Sequence, residues 1–174
     1  MKKTAFLILI FISSCIYAQE KEGKPLQDIN KKHEVKINAL TLLAAKWLDV
    51  SYEKLIDEES SLGVSATLNT DTAETDLNFA LTPYYRRYFS GKFARGFFVE
   101  GFGALFSRRD SDFLFNSKNE SFETGFALGV SVGGKFVSKK GFTTELLLGV
   151  GRNLIKSDYD EPFGRIAISV GYRF

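Results

Sequence analysis

Nine charged residues carry most of the chemistry this sequence offers: Lys36, Asp49, Glu53, Arg86, Glu100, Lys135, Glu145, Arg165 and Arg173. All but Glu100 sit in stretches where large apolar residues recur at every second position, and fall on the alternate, small or polar positions. Five cations and four anions on one face allow two kinds of behaviour. Around a water-filled channel they select ions. In a space too narrow for water they must pair, because a charge buried alone is far costlier than one held by an opposite charge. Acid–base chemistry needs two carboxylates within reach of the reacting atoms. Glu100 and Glu145 are the candidates, and ion pairing with Arg86 or Lys135 is the simpler role for both.

The remaining inventory argues against catalysis. His33 is the only histidine and lies in a polar stretch, which leaves a serine nucleophile without an imidazole base. Cys15 is the only cysteine. No catalytic residue, cofactor or metal is therefore expected. Asp110 and Asp112, and Asp158, Asp160 and Glu161, form carboxylate clusters of the kind that hold Ca²⁺, but such runs are usually solvated loop. Arg108 and Arg109 suit phosphate contacts, with ordinary loop charge the plainer reading. Gly101-Phe-Gly103 and Gly149-Val-Gly151 lack the spacing and the following helix of a phosphate loop, and read as small interior residues.

The N-terminus looks like that of an exported protein. Lys2 and Lys3 precede the apolar run Ala5–Ile12, and Ile16-Tyr17-Ala18 follows. This pattern reads as a secretory signal peptide over residues 1–18, too short to anchor the chain as a helix. Ile12-Ser13-Ser14-Cys15 also resembles a lipobox, and cleavage before Cys15 would leave a lipidated N-terminus. The cut after Ala18 is favoured, because a small residue lies where signal peptidase reads it and Gln19 opens a polar stretch. That cut removes two lysines from 23 basic residues and leaves 21 basic and 21 acidic ones, with no thiol. A balanced chain of about 156 residues reads as one domain without a nucleic-acid face. Residues 19–33 form a polar leader with too little apolar surface to fold.

From Glu34 to Phe174 the dominant period is two, the signature of strands. The last segment is clearest: Ile166, Ile168, Val170, Tyr172 and Phe174 share one face, and Arg165, Ala167, Ser169, Gly171 and Arg173 the other. The same alternation runs through Gly125–Val137, Phe142–Asn153 (where Leu147 interrupts it), Ser61–Asn69 and Trp47–Ile56. It also sets Leu77, Phe79, Leu81, Tyr85 and Phe89 against Asn78, Thr82 and Arg86, and Val35, Ile37, Ala39 and Leu43 against Lys36 and Asn38. In Gly96–Phe106 an inward Glu100 forces Phe98 and Phe102 inward with it.

These segments make eight strands of the length a tilted strand needs to cross a bilayer. Connections after the second, fourth and sixth are short; those after the third, fifth and seventh (70–76, 108–124, 154–162) are longer and polar, and the first, Ala44–Lys46, is a short exception. Short turns alternating with long loops, and an apolar face opposed to a small polar one, predict a closed antiparallel transmembrane β-barrel over 34–174 with its apolar face toward lipid. Tyr85, Phe89, Phe97, Phe136, Phe142, Tyr172 and Phe174 gather at the strand ends nearest the short turns, like an interfacial girdle.

The terminal Ile168-Ser-Val-Gly-Tyr-Arg-Phe174 resembles the last strand of outer-membrane barrels, and the region 34–174 is similar to the small eight-stranded, porin-like, OmpA/OmpX-like barrels. Asn38-Ala-Leu-Thr-Leu, Leu81-Thr-Pro-Tyr-Tyr-Arg-Arg-Tyr-Phe89 and Ser131-Val-Gly-Gly-Lys-Phe136 look like an uncharacterised family of such barrels, known only as a domain of unknown function. The resemblance implies a bacterial outer-membrane location. It also implies an assembly signal in Val170, Tyr172 and Phe174, read by the barrel assembly machinery. Expected partners are outer-membrane lipid and lipopolysaccharide, with the chain itself a monomer. Three functional readings stand. A structural or surface-interaction barrel plugged by ion pairs is favoured, because eight strands enclose a space that side chains fill. The others are a narrow channel for small solutes and a soluble lipocalin-like binding barrel with the faces exchanged.

Overall fold

A computed structural model describes residues 30–70, 77–110, 121–155 and 162–174. Alternating side chains and short turns produce eight antiparallel strands: β1 (His33–Asn38), β2 (Trp47–Leu55), β3 (Ser60–Asn69), β4 (Leu77–Tyr88), β5 (Gly96–Asp110), β6 (Ser121–Val137), β7 (Phe142–Asn153) and β8 (Pro162–Arg173). One short helix, α1 (Ala39–Ala44), follows β1. Each strand pairs with the next, and β1 pairs with β8, so the sheet closes into a barrel without a free edge. Among the described residues no helix is long and apolar enough to cross a membrane, which says nothing about crossing by strands.

The period of two holds through most of the wall. Leu62, Leu128, Val130, Leu148, Ile166 and Val170 lie exposed on the outside, and their neighbours in sequence point into the barrel. Phe98, Glu100 and Phe102 face inward, as the placement of Glu100 requires. Leu147 also points inward, where it packs with Leu55, Tyr88, Phe93, Ala94 and Phe98. The aromatic residues expected to form a girdle, joined by Tyr52, are all exposed at the end of the barrel that carries the short turns, the start of β1 and the end of β8. Phe89 lies against Phe97 at 6.1 Å between ring centroids, and Phe142 against Tyr172 at 5.5 Å.

Four local expectations change. The first strand stops at Asn38 instead of running to Leu43, because the Asn38 side chain caps α1 by accepting the Thr41 N–H. Helix-favouring Ala and Leu then carry the chain through one helical turn. The Asn38 amide also takes over from the missing ladder: Oδ1 accepts the Ile168 N–H (3.2 Å), and Nδ2 donates to the Ile166 carbonyl (3.2 Å). In β4 a bulge between Leu77 and Phe79 turns Leu77 inward and Asn78 outward, reversing their expected faces. Gly101 and Gly103 lie on the outer wall, because their neighbours Phe102 and Ala104 occupy the interior. Finally, β5 reaches Asp110 and β6 begins at Ser121, so the expected loop 108–124 is largely strand at both ends. Asp112, Asp158, Asp160 and Glu161 lie outside the described residues.

The short connections are built to different ends. Between β2 and β3, the Asp57 carboxylate accepts the Ser60 hydroxyl (2.7 Å) and the Glu59 N–H (2.8 Å); these bonds favour the ionised form and hold it below the usual aspartate range. Between β4 and β5, the chain folds back into the mouth and buries Phe93 and Ala94. There Ala94 donates its N–H to the Glu58 carbonyl (2.9 Å), tying this turn to its neighbour.

Where β6 and β7 meet, their glycines permit unusually close contact. A Cβ on Gly133 would lie 2.4 Å from the Leu146 carbonyl oxygen, and one on Gly129 2.5 Å from that of Val150, whereas one on Gly101 would meet nothing within 4 Å. Gly133→Ala should therefore lower stability by about 1–3 kcal/mol, the usual range for overpacking. Gly101→Ala should stay within about 0.5 kcal/mol of the parent, as typical for an unencumbered surface position. Urea unfolding of the two variants in the same detergent checks the difference.

Candidate functional site: the charged interior

The interior is organised around Glu53, which has no exposure to solvent. Its Oε1 accepts the Ser61 hydroxyl (2.6 Å), the Tyr88 hydroxyl (2.6 Å) and Lys135 Nζ (2.7 Å). Its Oε2 accepts Lys36 Nζ (2.5 Å) and Arg86 Nη1 (2.9 Å). Each donor is inward because its strand alternates, and the register delivers them from β1, β3, β4 and β6 to one carboxylate on β2.

From this hub the network runs both ways along the barrel. Toward the long-loop end, Arg86 Nε donates to Glu100 Oε2 (2.7 Å), and Arg165 Nη1 donates to Glu100 Oε1 (2.5 Å). Arg86 also grips Glu145 through Nη1 (2.7 Å) and Nη2 (2.8 Å), and Lys36 reaches the same carboxylate at 2.8 Å. Toward the short-turn end, Lys135 donates to Glu34 (2.8 Å), and Glu34 holds Arg173 at 2.5–2.6 Å. Arg173 then donates to the backbone carbonyls of Phe93 (3.2 Å) and Ala94 (2.8 Å) in the infolded turn. Those bonds fasten Ala94 in a left-handed conformation, φ 40°, that a side chain disfavours.

Aromatic rings fill the space between the charges. The Arg86 guanidinium lies 4.4 Å from the ring centroids of both Tyr84 and Phe98, and that of Arg165 lies 4.8 Å from Phe102. Such cation–π contacts gain strength where water is excluded. Above them Phe102, Phe106 and Phe163 pack with Tyr84, Ala80, Ala104 and Ala127. Room for these side chains comes from glycines in the wall: a Cβ on Gly63 would strike the Tyr84 ring at 2.3 Å, and one on Gly171, opposite Lys36, would strike the Lys36 chain at 2.5 Å.

Of the nine charges singled out in the sequence, eight belong to this one connected network. The ninth, Asp49, faces the same interior and accepts Asn38 Nδ2 at 3.1 Å. Glu34, missing from that set, is as buried as any of them, and its even-numbered position beside Lys36 was the available signal. With it the named charges are five acidic and five basic. Tyr84 and Tyr88 share the parity of Arg86 and were legible in the same way. His33, expected in the leader, is instead the first residue of β1; its Nδ1 lies 2.6 Å from the Tyr52 hydroxyl, and its ring stacks on Tyr52 and Phe174. It faces away from the interior carboxylates. Glu100 and Glu145 do not face each other as an acid–base couple, because Arg86 stands between them.

The network separates two kinds of ion pair by burial. Removing one member of a buried cluster leaves uncompensated charge and typically costs about 3–5 kcal/mol. Glu53→Gln should lose about that much, because it withdraws the anion shared by three cations. Arg87→Gln breaks an ion pair with Glu59 in which both side chains are 55% exposed, and should cost under about 1 kcal/mol. Equilibrium unfolding of the two variants side by side checks the contrast.

No curated protein matches the chain, and no solved structure does. The family model described as protein of unknown function, DUF3575, matches residues 5–164. With that match covering most of the chain, from before β1 to the start of β8 of the closed barrel, the chain belongs to the DUF3575 family.

Proposed function

We propose that the mature chain is a bacterial outer-membrane β-barrel with a structural or surface-interaction role, its interior plugged by ion pairs. Export through a signal peptide cleaved after Ala18 would bring it there. The observation that carries the reading is an inverted solvent logic. The largest side chains without exposure include Arg86, Arg173, Lys36, Lys135, Glu34, Glu53 and Glu100, while large aliphatic residues cover the outer wall. A barrel in water would bury the second group and expose the first, which weighs against the lipocalin-like alternative. Hydrocarbon reverses the preference, and closure of β1 on β8 leaves the sheet without an unpaired edge for lipid to meet.

The plugged interior favours a structural role over a channel. The Glu53 network and the aromatic cluster above it occupy the interior, and the Phe93–Ala94 turn, fastened by Arg173, lies across the short-turn mouth. No catalytic role is assigned to the interior carboxylates. Partners on this reading are outer-membrane lipid and lipopolysaccharide around a monomer. The barrel assembly machinery would read Val170, Tyr172 and Phe174, which lie exposed on the outer face of β8 and just beyond its end.

Leu148→Arg tests the reading directly. Leu148 is 63% exposed near the middle of β7. On a soluble protein such a change stays within about 0.5 kcal/mol; at the middle of a bilayer it costs about 2–4 kcal/mol. The expected outcome is the larger loss, measured by folding free energy in lipid vesicles. A neutral effect sinks the membrane reading. The parent protein should also need detergent for extraction and migrate differently on gels before and after boiling. In planar bilayers it should show no steady conductance; a stable open level would favour the channel.

A further inference from the structure

We propose that the short-turn rim of the barrel is a docking surface for an anionic phospholipid leaflet, a proposal that rests on the membrane reading and adds the lipid class and the end of the barrel. Six exposed cations surround this rim: Lys32, Lys54, Arg87, Lys92, Lys139 and Lys140. Among the described residues, the exposed carboxylates of the neighbouring β2–β3 turn are Asp57, Glu58 and Glu59. Two of those are already engaged, Asp57 by the bonds of its own turn and Glu59 by Arg87 at 2.5 Å. The Arg87–Glu59 pair cancels itself, and the remaining five cations outweigh Asp57 and Glu58, so the described rim is net positive.

Its position relative to the aromatic collar identifies the occupant. Lys54 points outward between Tyr52 and Ile56 on β2 and the turn that follows it. Arg87 points outward between Tyr85 and Phe89. Lys139 and Lys140 form the turn that separates Phe136 from Phe142. Water alone would account for the cations and leave the collar of rings exposed for no gain. Hydrocarbon alone would account for the rings and penalise the cations. The boundary of a leaflet accommodates both, since rings settle at headgroup depth and long basic side chains reach from an apolar wall to the phosphates. Cations at such a boundary favour anionic over zwitterionic lipid by about 1 kcal/mol each.

The test uses the complete mature protein reconstituted in phosphatidylcholine vesicles with trace spin-labelled phosphatidylglycerol or spin-labelled phosphatidylcholine. Electron spin resonance reads the fraction of each label held against the barrel. The expected result is a preference for phosphatidylglycerol of about fivefold, the equivalent of a single such cation. It should shrink in 1 M salt, where screening acts within about 3 Å. The triple variant Lys54→Gln, Lys139→Gln, Lys140→Gln should bring the two labels close to equality, and the corresponding triple Arg variant should keep the preference. None of these side chains enters the interior, so boiling-dependent gel migration serves as the folding control. Equal retention of both labels by the parent protein overturns the proposal, as does a preference that survives the Gln variant. Retention of neither label overturns the membrane reading itself.

Discussion

A carboxylate cut off from water must be surrounded by donors, and Glu53 shows how much structure that demand can organise. Two oxygens take bonds from Lys36, Ser61, Arg86, Tyr88 and Lys135, side chains from four strands other than its own. Each cationic donor is in turn held elsewhere: Lys36 and Arg86 by Glu145, Lys135 by Glu34. No member can rotate away without stranding another's charge, so the interior specifies a single relative height for β1, β2, β3, β4, β6 and β7. An apolar filling of the same volume would tolerate sliding of one strand past another more readily, since dispersion contacts are not directional.

The same demand explains where small residues and rings occur. Interior side chains need space, and the wall yields it at glycines: the Tyr84 ring lies where a Cβ on Gly63 would be, Ser131 where one on Gly149 would be, and the Lys36 stem beside Gly171. Rings then line the charged groups: Tyr84 and Phe98 bracket Arg86, and Tyr88 lies 5.0 Å from Lys135. Gly129 and Gly133 on β6 thus serve close packing of the wall against β7, while Gly63 makes room for an interior ring and Gly171 for the Lys36 stem.

Much of this was readable one strand at a time. Alternation is a one-dimensional property, so the face of Glu53, Arg86, Glu100 or Arg173 follows from its immediate neighbours, and Glu34, Tyr84 and Tyr88 obey the same parity. Interruptions were harder. The end of β1 depends on whether the Asn38 side chain bonds forward to Thr41 and across to Ile168, a choice made by tertiary contact. The bulge at Leu77–Phe79 is set by pairing with Ser107 and Arg108 on the next strand. The infolding of Phe93 and Ala94 needs Arg173, eighty residues away in the chain, to satisfy the turn's carbonyls. Which acid meets which base across the interior was also beyond the pattern, because it depends on how the closed wall brings opposite strands together. Parity gives the membership of the network; closure gives its wiring.

Closure itself joins Glu34 to Arg173, almost the full length of the barrel region apart. This has a temporal consequence. A chain emerging from its N-terminus can pair β1 with β2 and extend the meander, but the seam and the Glu34–Arg173 bond wait for the final strand. Until then the sheet has two open edges, each able to recruit a strand from another molecule, and Glu34 and Glu100 lack the arginines that β8 brings. Contacts between distant parts of a chain form slowly, so the unclosed intermediate is the vulnerable species in the life of this protein, and protection of β1 and β8 before they meet matters as much as the stability of the barrel afterwards.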